Sequence, residues 1–214
     1  MRLTALALSG LLLVAGRLAA QDQPVRHLLA DATVRLASGC TGAVAERSQL
    51  IVTAEHCVTG RQSVGVRLAN GEERTGWVVI ADQVVDQAVL FLEEPTGVRP
   101  LRIARQRQIP GTVLYFAGHP DRPVFQEGRV DRIGVCPSLP RLPNALFTSV
   151  AGRPGDSGAP LVNAGGEVLG LVHGGARCEI ATPADTLLGL VQRLLLPAPR
   201  PGSERAAKAT ASAG

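Results

Sequence analysis

Gly155-Asp156-Ser157-Gly158-Ala159-Pro160 decides the reading of this chain once it is set beside the upstream stretch Thr53-Ala54-Glu55-His56-Cys57. A serine between glycines is common. It becomes informative when a histidine coupled to a cysteine precedes it. A nucleophilic serine needs a base to take its proton and backbone N–H groups to hold the oxyanion that forms. Flanking glycines let the backbone approach a substrate and adopt conformations closed to other residues.

Leu50-Ile51-Val52-Thr53-Ala54 is an apolar strand that delivers His56 to its end, next to Cys57. A lone histidine is usually a satisfied surface or core residue. Here Cys40 lies 17 residues before Cys57. A bridge between them would contribute about 3 kcal/mol in the chain-entropy picture and pin the loop that carries the imidazole. The imidazole also needs a partner for its second nitrogen, to set the tautomer and stabilise the imidazolium. The acids between His56 and Ser157 include Asp82, Asp86, Asp121 and Asp131. Asp86 opens the apolar strand of Val84-Val85-Asp86-Gln87-Ala88-Val89-Leu90, which suits an orienting acid. Asp82 is the second candidate. Asp121, between Pro120 and Arg122, reads as a solvated loop residue.

The first residues read as an export signal. Arg2 precedes the uncharged apolar run 3–15, small residues end in Leu18-Ala19-Ala20, and polar Gln21-Asp22-Gln23 follows. Residues 1–20 are therefore expected to be cleaved, and the run is short for a membrane span. Their removal takes Arg2 and Arg17 and no acid, so the net charge falls from +4 to +2. The remaining arginines are scattered. No nucleic-acid partner and no stable membrane insertion are expected. Four cysteines in an exported chain read as two disulfides, with three pairings open. Neither a CxxC nor an HExxH is present, so no metal site is expected, and no organic cofactor.

Short strand-like runs separated by turn residues indicate an all-β sandwich or a pair of barrels. The first series is Ala32–Leu36, Gly42–Ala45, Leu50–Thr53, Ser63–Leu68, Thr75–Ile80 and Ala88–Leu92. The second is Thr112–Gly118, Phe125–Ile133, Leu146–Ser149, Ala159–Val162 and Val168–Val172. Asn70-Gly71 and Asn163-Ala164-Gly165-Gly166 read as hairpin turns. Glu93 to Gln108, with Pro95, Gly97 and Pro100, reads as the connection between the two series. Leu187, Leu188, Val191, Leu194 and Leu195 recur at helical spacing after Thr182-Pro183-Ala184-Asp185, which predicts a helix docked on a barrel. The Pro-, Ala- and Ser-rich tail 197–214 is expected to be disordered.

Three segments in chain order carry a family resemblance. Thr53-Ala54-Glu55-His56-Cys57, Asp86-Gln87-Ala88-Val89-Leu90 and Gly155-Asp156-Ser157-Gly158-Ala159-Pro160 resemble the His, Asp and Ser boxes of the chymotrypsin/trypsin-like serine peptidases. The resemblance spans roughly Ala32 to Leu195. It implies an all-β fold of two six-stranded antiparallel β-barrels with the active site in the cleft between them, plus a C-terminal helix. The implied division is residues 21–95 for the first barrel, 96–108 for the linker and 109–196 for the second barrel and helix. It implies Ser157 as nucleophile, His56 as general base and then acid, Asp86 as the acid that orients His56, and an oxyanion hole of the Gly155 and Ser157 N–H groups. Asp156 is expected to be structural. The substrate pocket would lie between Ala151, Gly152, Arg153 and Pro154 on one side and His173, Gly174, Gly175 and Ala176 on the other. Its base would be near Ala151, with no acid there. Arg153, Arg177 or His173 would favour an acidic side chain, and a neutral pocket would take aliphatic or aromatic ones. His173 stands where the family commonly has a serine beside the buried Asp. Cys136 and Cys178 are left to pair with each other.

The chain departs from the animal digestive members. No Ile-Val-Gly-Gly start precedes Cys40, and only 30 residues separate His56 from Asp86. It more resembles the compact bacterial members. The expected function is a secreted or periplasmic serine endopeptidase acting on proteins or peptides. The alternative is a catalytically silent module that keeps the fold, which would betray itself by lost triad residues. An α/β-hydrolase elbow needs a strand–Ser–helix setting and the order Ser, acid, His. Ser157 comes last here.

Overall fold

The computed structural model describes residues 24–174 and 178–195. The expected signal segment 1–20, the tail 197–214, Gly175, Ala176 and Arg177 lie outside the described residues.

Six strands form a closed barrel: β1 (Thr33–Leu36), β2 (Thr41–Val44), β3 (Leu50–Thr53), β4 (Ser63–Arg67), β5 (Glu73–Asp82) and β6 (Gln87–Leu92), paired in the order β1-β2-β3-β6-β5-β4. The short strand β7 (Arg102–Ile103) follows. A second barrel is built from β8 (Val113–Phe116), β9 (Gln126–Gly134), β10 (Ala145–Thr148), β11 (Pro160–Val162), β12 (Glu167–Val172) and β13 (Ile180–Pro183). Its order is β11-β8-β9-β10-β13-β12, and pairing of β11 with β12 closes it. Helix α1 covers residues 24–32, and α2 spans Ala184–Leu195. The fold is thus two six-stranded antiparallel barrels with a C-terminal helix.

The burial pattern explains the strand sequences. Side chains alternate across a strand, so a barrel wall facing solvent shows alternating polarity. β4 does so, with Val64 and Val66 inside and Arg67 out. β2, β3 and β6 are apolar on both faces. Val44, Ile51 and Leu90 fill the first barrel, whereas Ala43, Val52 and Val89 join a second core that continues into the other barrel through Leu114, Phe116, Leu146 and Leu171. Leu187, Leu190 and Val191 of α2 enter the same core, and the helix packs on β6 as well as on β12. The apolar stripe expected to dock on one barrel therefore spans both.

Two strands and one helix escape the sequence reading. β7 lies in the segment read as a plain connection. It pairs in parallel with β12, and the Ile103 N–H donates to Glu46 Oε1 at 2.6 Å. β13 carries Thr182-Pro183, read above as a helix opening. Both strands are defined by partners distant in sequence. α1, by contrast, has a local signal: Val25, Leu28, Leu29 and Ala32 recur at helical spacing and pack into the shared core.

The barrels are also joined by a buried side chain. Gln87 is fully buried and its Nε2 donates to Thr182 Oγ1 at 2.9 Å and to the Pro183 carbonyl at 3.0 Å. Removing one member of a buried hydrogen-bonded set typically costs about 1–3 kcal/mol. Gln87→Ala is expected to lower the unfolding free energy by about that amount, measured by denaturant or thermal unfolding. A variant as stable as the wild type would mean that this link does not hold the barrels together.

Candidate active site

His56 sits in a 3-10 turn, Glu55–Cys57, at the end of β3. Asp86 immediately precedes β6 and has φ of +50°, a left-handed conformation that Asp tolerates better than most residues. β3 and β6 are neighbours in the first barrel, with Thr53 opposite Ala88, so the two side chains meet at the same barrel end. The His56 N–H donates to Asp86 Oδ1 at 2.9 Å, and His56 Nδ1 lies 3.0 Å from Oδ1 and 2.9 Å from Oδ2. The Asp86 side chain is 4% exposed and that of His56 42%. An ionised carboxylate only accepts, so the His56 proton in this contact is on Nδ1 and Nε2 is left to act as a base.

Ser157 belongs to the turn before β11, in the second barrel. Thr41 of the first barrel clasps that turn: its N–H donates to the Ser157 carbonyl at 3.0 Å and its Oγ1 to the Gly155 carbonyl at 2.7 Å. Gly158 has φ of +83°, and a Cβ there would run into the Thr41 carbonyl and Thr53 Oγ1. Gly155 has φ of +100°, and a Cβ there would press on His119 and the Gly39 carbonyl. These two glycines are required by close approach of the barrels and by left-handed backbone. Among the described residues, no acceptor takes the Gly155 or Ser157 N–H. Ser157 Oγ donates to the His173 carbonyl at 3.1 Å in this conformation.

Asp156 is 4% exposed, and both its oxygens accept backbone N–H groups at 2.7 Å, from His119 and from Arg153. Its carboxylate ties the turn to the β8–β9 loop and touches neither His56 nor Ser157. Asp82 accepts the N–H groups of Val84 and Val85 at 2.9 and 3.4 Å, capping the turn that leads to Asp86. Asp121 pairs with Arg35 at 2.9 Å on the surface.

His56, Ser157, Gly152, Arg153, His173 and Gly174 share one cleft of about 440 Å³. Ala151 differs from the expectation. It is exposed, and its N–H and carbonyl bond the Gln126 side chain at 3.1 and 3.0 Å. Thr148, Val150 and Gly152 line the cleft instead. Val172 and Ile180 complete an apolar wall, and Glu179, missed by the sequence reading, stands at its exposed edge. His173 is more than a pocket wall. Its Nδ1 lies 2.5 Å from Asp86 Oδ2, so the carboxylate faces two imidazoles. The family resemblance puts residue 173 beside the buried Asp, and the fold brings the two together from 87 positions apart.

The ionisation of the pair follows from these contacts. Burial alone would push the Asp86 carboxyl up, but the hydrogen bonds from His173 and His56 outweigh it and hold the group at about 2. The hydrogen bond to Asp86 raises His56 above 6.5, against the lowering effect of burial. Cys40 and Cys57 lie with Cα atoms 6.0 Å apart and Cys136 and Cys178 with theirs 6.4 Å apart, two close pairs within bridging range. Two groups of ligand-type atoms lie within 4.8 Å: Cys40, His56 and Cys57, and His56, Asp86 and His173. In the first the two sulfurs face each other. In the second both Nδ1 atoms are committed to the carboxylate.

Residues 40–171 match the family of trypsin-like peptidase domains. The chain belongs to that family. This trypsin-like peptidase domain is 32% identical over 183 residues to the mitochondrial serine protease HTRA2 of Bos taurus, covering 78% of this chain and 38% of that protein. It is 26% identical over 160 residues to the periplasmic pH-dependent serine endoprotease DegQ of Escherichia coli K12, covering 68% of this chain and 34% of that one. The chain thus spans little more than a third of the length of these relatives. A serine endoprotease from Yersinia pestis shares the fold, with a TM-score of 0.67 at 23% identity over 81% of this chain and 66% of that one.

The His56 imidazole is expected to titrate above 6.5 when followed by NMR. Asp86→Asn removes both the charge and the strong acceptor and leaves burial, so the midpoint should then drop below the ordinary histidine value. An unchanged midpoint would mean that Asp86 does not govern the imidazole.

Proposed function

We propose that this chain is an exported serine endopeptidase that cleaves proteins or peptides through an acyl-enzyme on Ser157. The observation that carries the reading is the His56–Asp86 contact in the same cleft as Ser157, with the Gly155 and Ser157 N–H groups uncommitted among the described residues. Membership of the trypsin-like peptidase family supports it, as does the description of similar proteins as serine proteases.

Ser157 Oγ leaves the His173 carbonyl, passes its proton to His56 Nε2 and bonds the scissile carbonyl carbon. His56 keeps its Nδ1–H on Asp86, which stabilises the imidazolium. The carbonyl oxygen becomes an oxyanion, and the Gly155 and Ser157 N–H groups receive it. Collapse breaks the C–N bond, and the leaving amine takes the proton from His56. Water then repeats the sequence on the ester, with His56 taking its proton and returning one to Ser157. Val150, Val172 and Ile180 favour an aliphatic or aromatic side chain before the cut.

Export is supported by the charge and hydropathy pattern of residues 1–20, by the periplasmic description of the Escherichia coli relative and by the two close cysteine pairs. Among the described residues no helix is long and apolar enough to cross a membrane. The cysteine pairs are taken as disulfides, the first bracing the turn of His56. Peptide mapping of unreduced protein by mass spectrometry should recover Cys40 linked to Cys57 and Cys136 linked to Cys178. Any other linkage removes that support.

A fluorophosphonate probe should label Ser157 in the wild type and fail to label Ser157→Ala or His56→Ala. Peptidase activity should fall by at least about 10⁴-fold in either variant. Correctly folded wild type that neither reacts with the probe nor cleaves a peptide library would support the catalytically silent module instead.

A further inference from the structure

His173 occupies a position from which it touches both ends of the candidate triad. Its Nδ1 contacts Asp86 Oδ2, its carbonyl accepts the Ser157 hydroxyl at 3.1 Å, and its N–H donates to the Ile180 carbonyl at 3.0 Å. The main chain therefore fixes the residue between β13 and the nucleophile. Its side chain is 13% exposed, and its ring meets that of His56 edge-on, with centroids 5.5 Å apart and planes at 89°. The Asp86 carboxylate accepts only, so His173 is the Nδ1–H tautomer when neutral.

We propose that His173 is a positioning residue that shares the Asp86 carboxylate with His56 and thereby sets how strongly His56 holds a proton. Each N–H that a carboxylate accepts stabilises the anion and reduces what it offers a second donor. The buried carboxylate is consequently divided between two imidazoles. With His173 neutral, Asp86 stays ionised and oriented, and only His56 gains charge as it takes the Ser157 proton. Among the described residues, the other ionisable groups around the pair are Glu55 beside His56, Asp82 turned to the Val84 N–H, and Arg153 and Glu179 on the cleft wall. Among the described residues none of these side chains is hydrogen-bonded to either imidazole.

The effect on turnover rests on the peptidase reading, but the effect on the His56 proton does not. The test compares the full chain with His173→Ala, which loses the donor, and His173→Asn, whose amide can occupy the Nδ1–H position without titrating. With ¹⁵N-labelled histidine, the wild type should show two far-downfield imidazole N–H resonances, and either variant only one. The His56 midpoint should rise by about half a pH unit or more in His173→Ala, because Asp86 then serves His56 alone, and return toward the wild-type value in His173→Asn. The acid limb of kcat/KM should move with it, and kcat should fall by about tenfold in the alanine variant and recover in the asparagine variant. A single downfield resonance in the wild type, or one His56 midpoint common to all three proteins, overturns the proposal. Absence of turnover in every protein would sink the peptidase reading alone, since the resonances and midpoints report without it.

Discussion

The Asp86 carboxylate is the point on which the cleft depends. It is nearly inaccessible to solvent, and a buried ionised carboxylate is tolerated only when hydrogen bonds replace the lost water. Three N–H groups do so: the His56 backbone, the His56 ring and the His173 ring. Two come from the first barrel and one from the second, so the acid both orients an imidazole and ties the barrels together where the cleft opens. The left-handed backbone at Asp86 is kept because the capped turn at Asp82 and the strand β6 fix the chain on either side.

The same demand for precise placement accounts for the interface. His56 and Ser157 belong to different barrels, and a small shift of one barrel on the other would separate them. Thr41 clasps the serine turn, Gln87 reaches β13, β7 pairs with β12 and α2 lies across both units. Between these polar links runs one continuous apolar core. The apolar surface supplies most of the adhesion, and the hydrogen bonds, being directional, set the register.

The serine turn is braced from within its own barrel as well. Asp156 uses both carboxylate oxygens on main-chain N–H groups of two loops, which holds the turn. Val150, just after β10, faces the cleft beside it with Val172 and Ile180, which makes that wall apolar.

What the amino-acid sequence determined by itself is what depends on neighbours in the chain. Strand alternation, the Asn-Gly turn, the helical spacing of Leu187 and Val191, and the short motifs around His56, Asp86 and Ser157 are all local patterns; the strands and the helix follow from them, and the two barrels from the family resemblance that the motifs carry. α1 carries an equally local signal in Val25, Leu28, Leu29 and Ala32. Tertiary structure alone decided β7 and β13, whose short runs become strands only through distant partners. It alone placed Gln87 across the interface, Glu179 in the cleft and Ala151 outside it, and it showed the His173 ring bonded to the acid that the resemblance had set beside it. The physical reason is the same in each case: a side chain's role there is set by which atoms the packed barrels bring within hydrogen-bond reach, and no spacing along the chain encodes that distance.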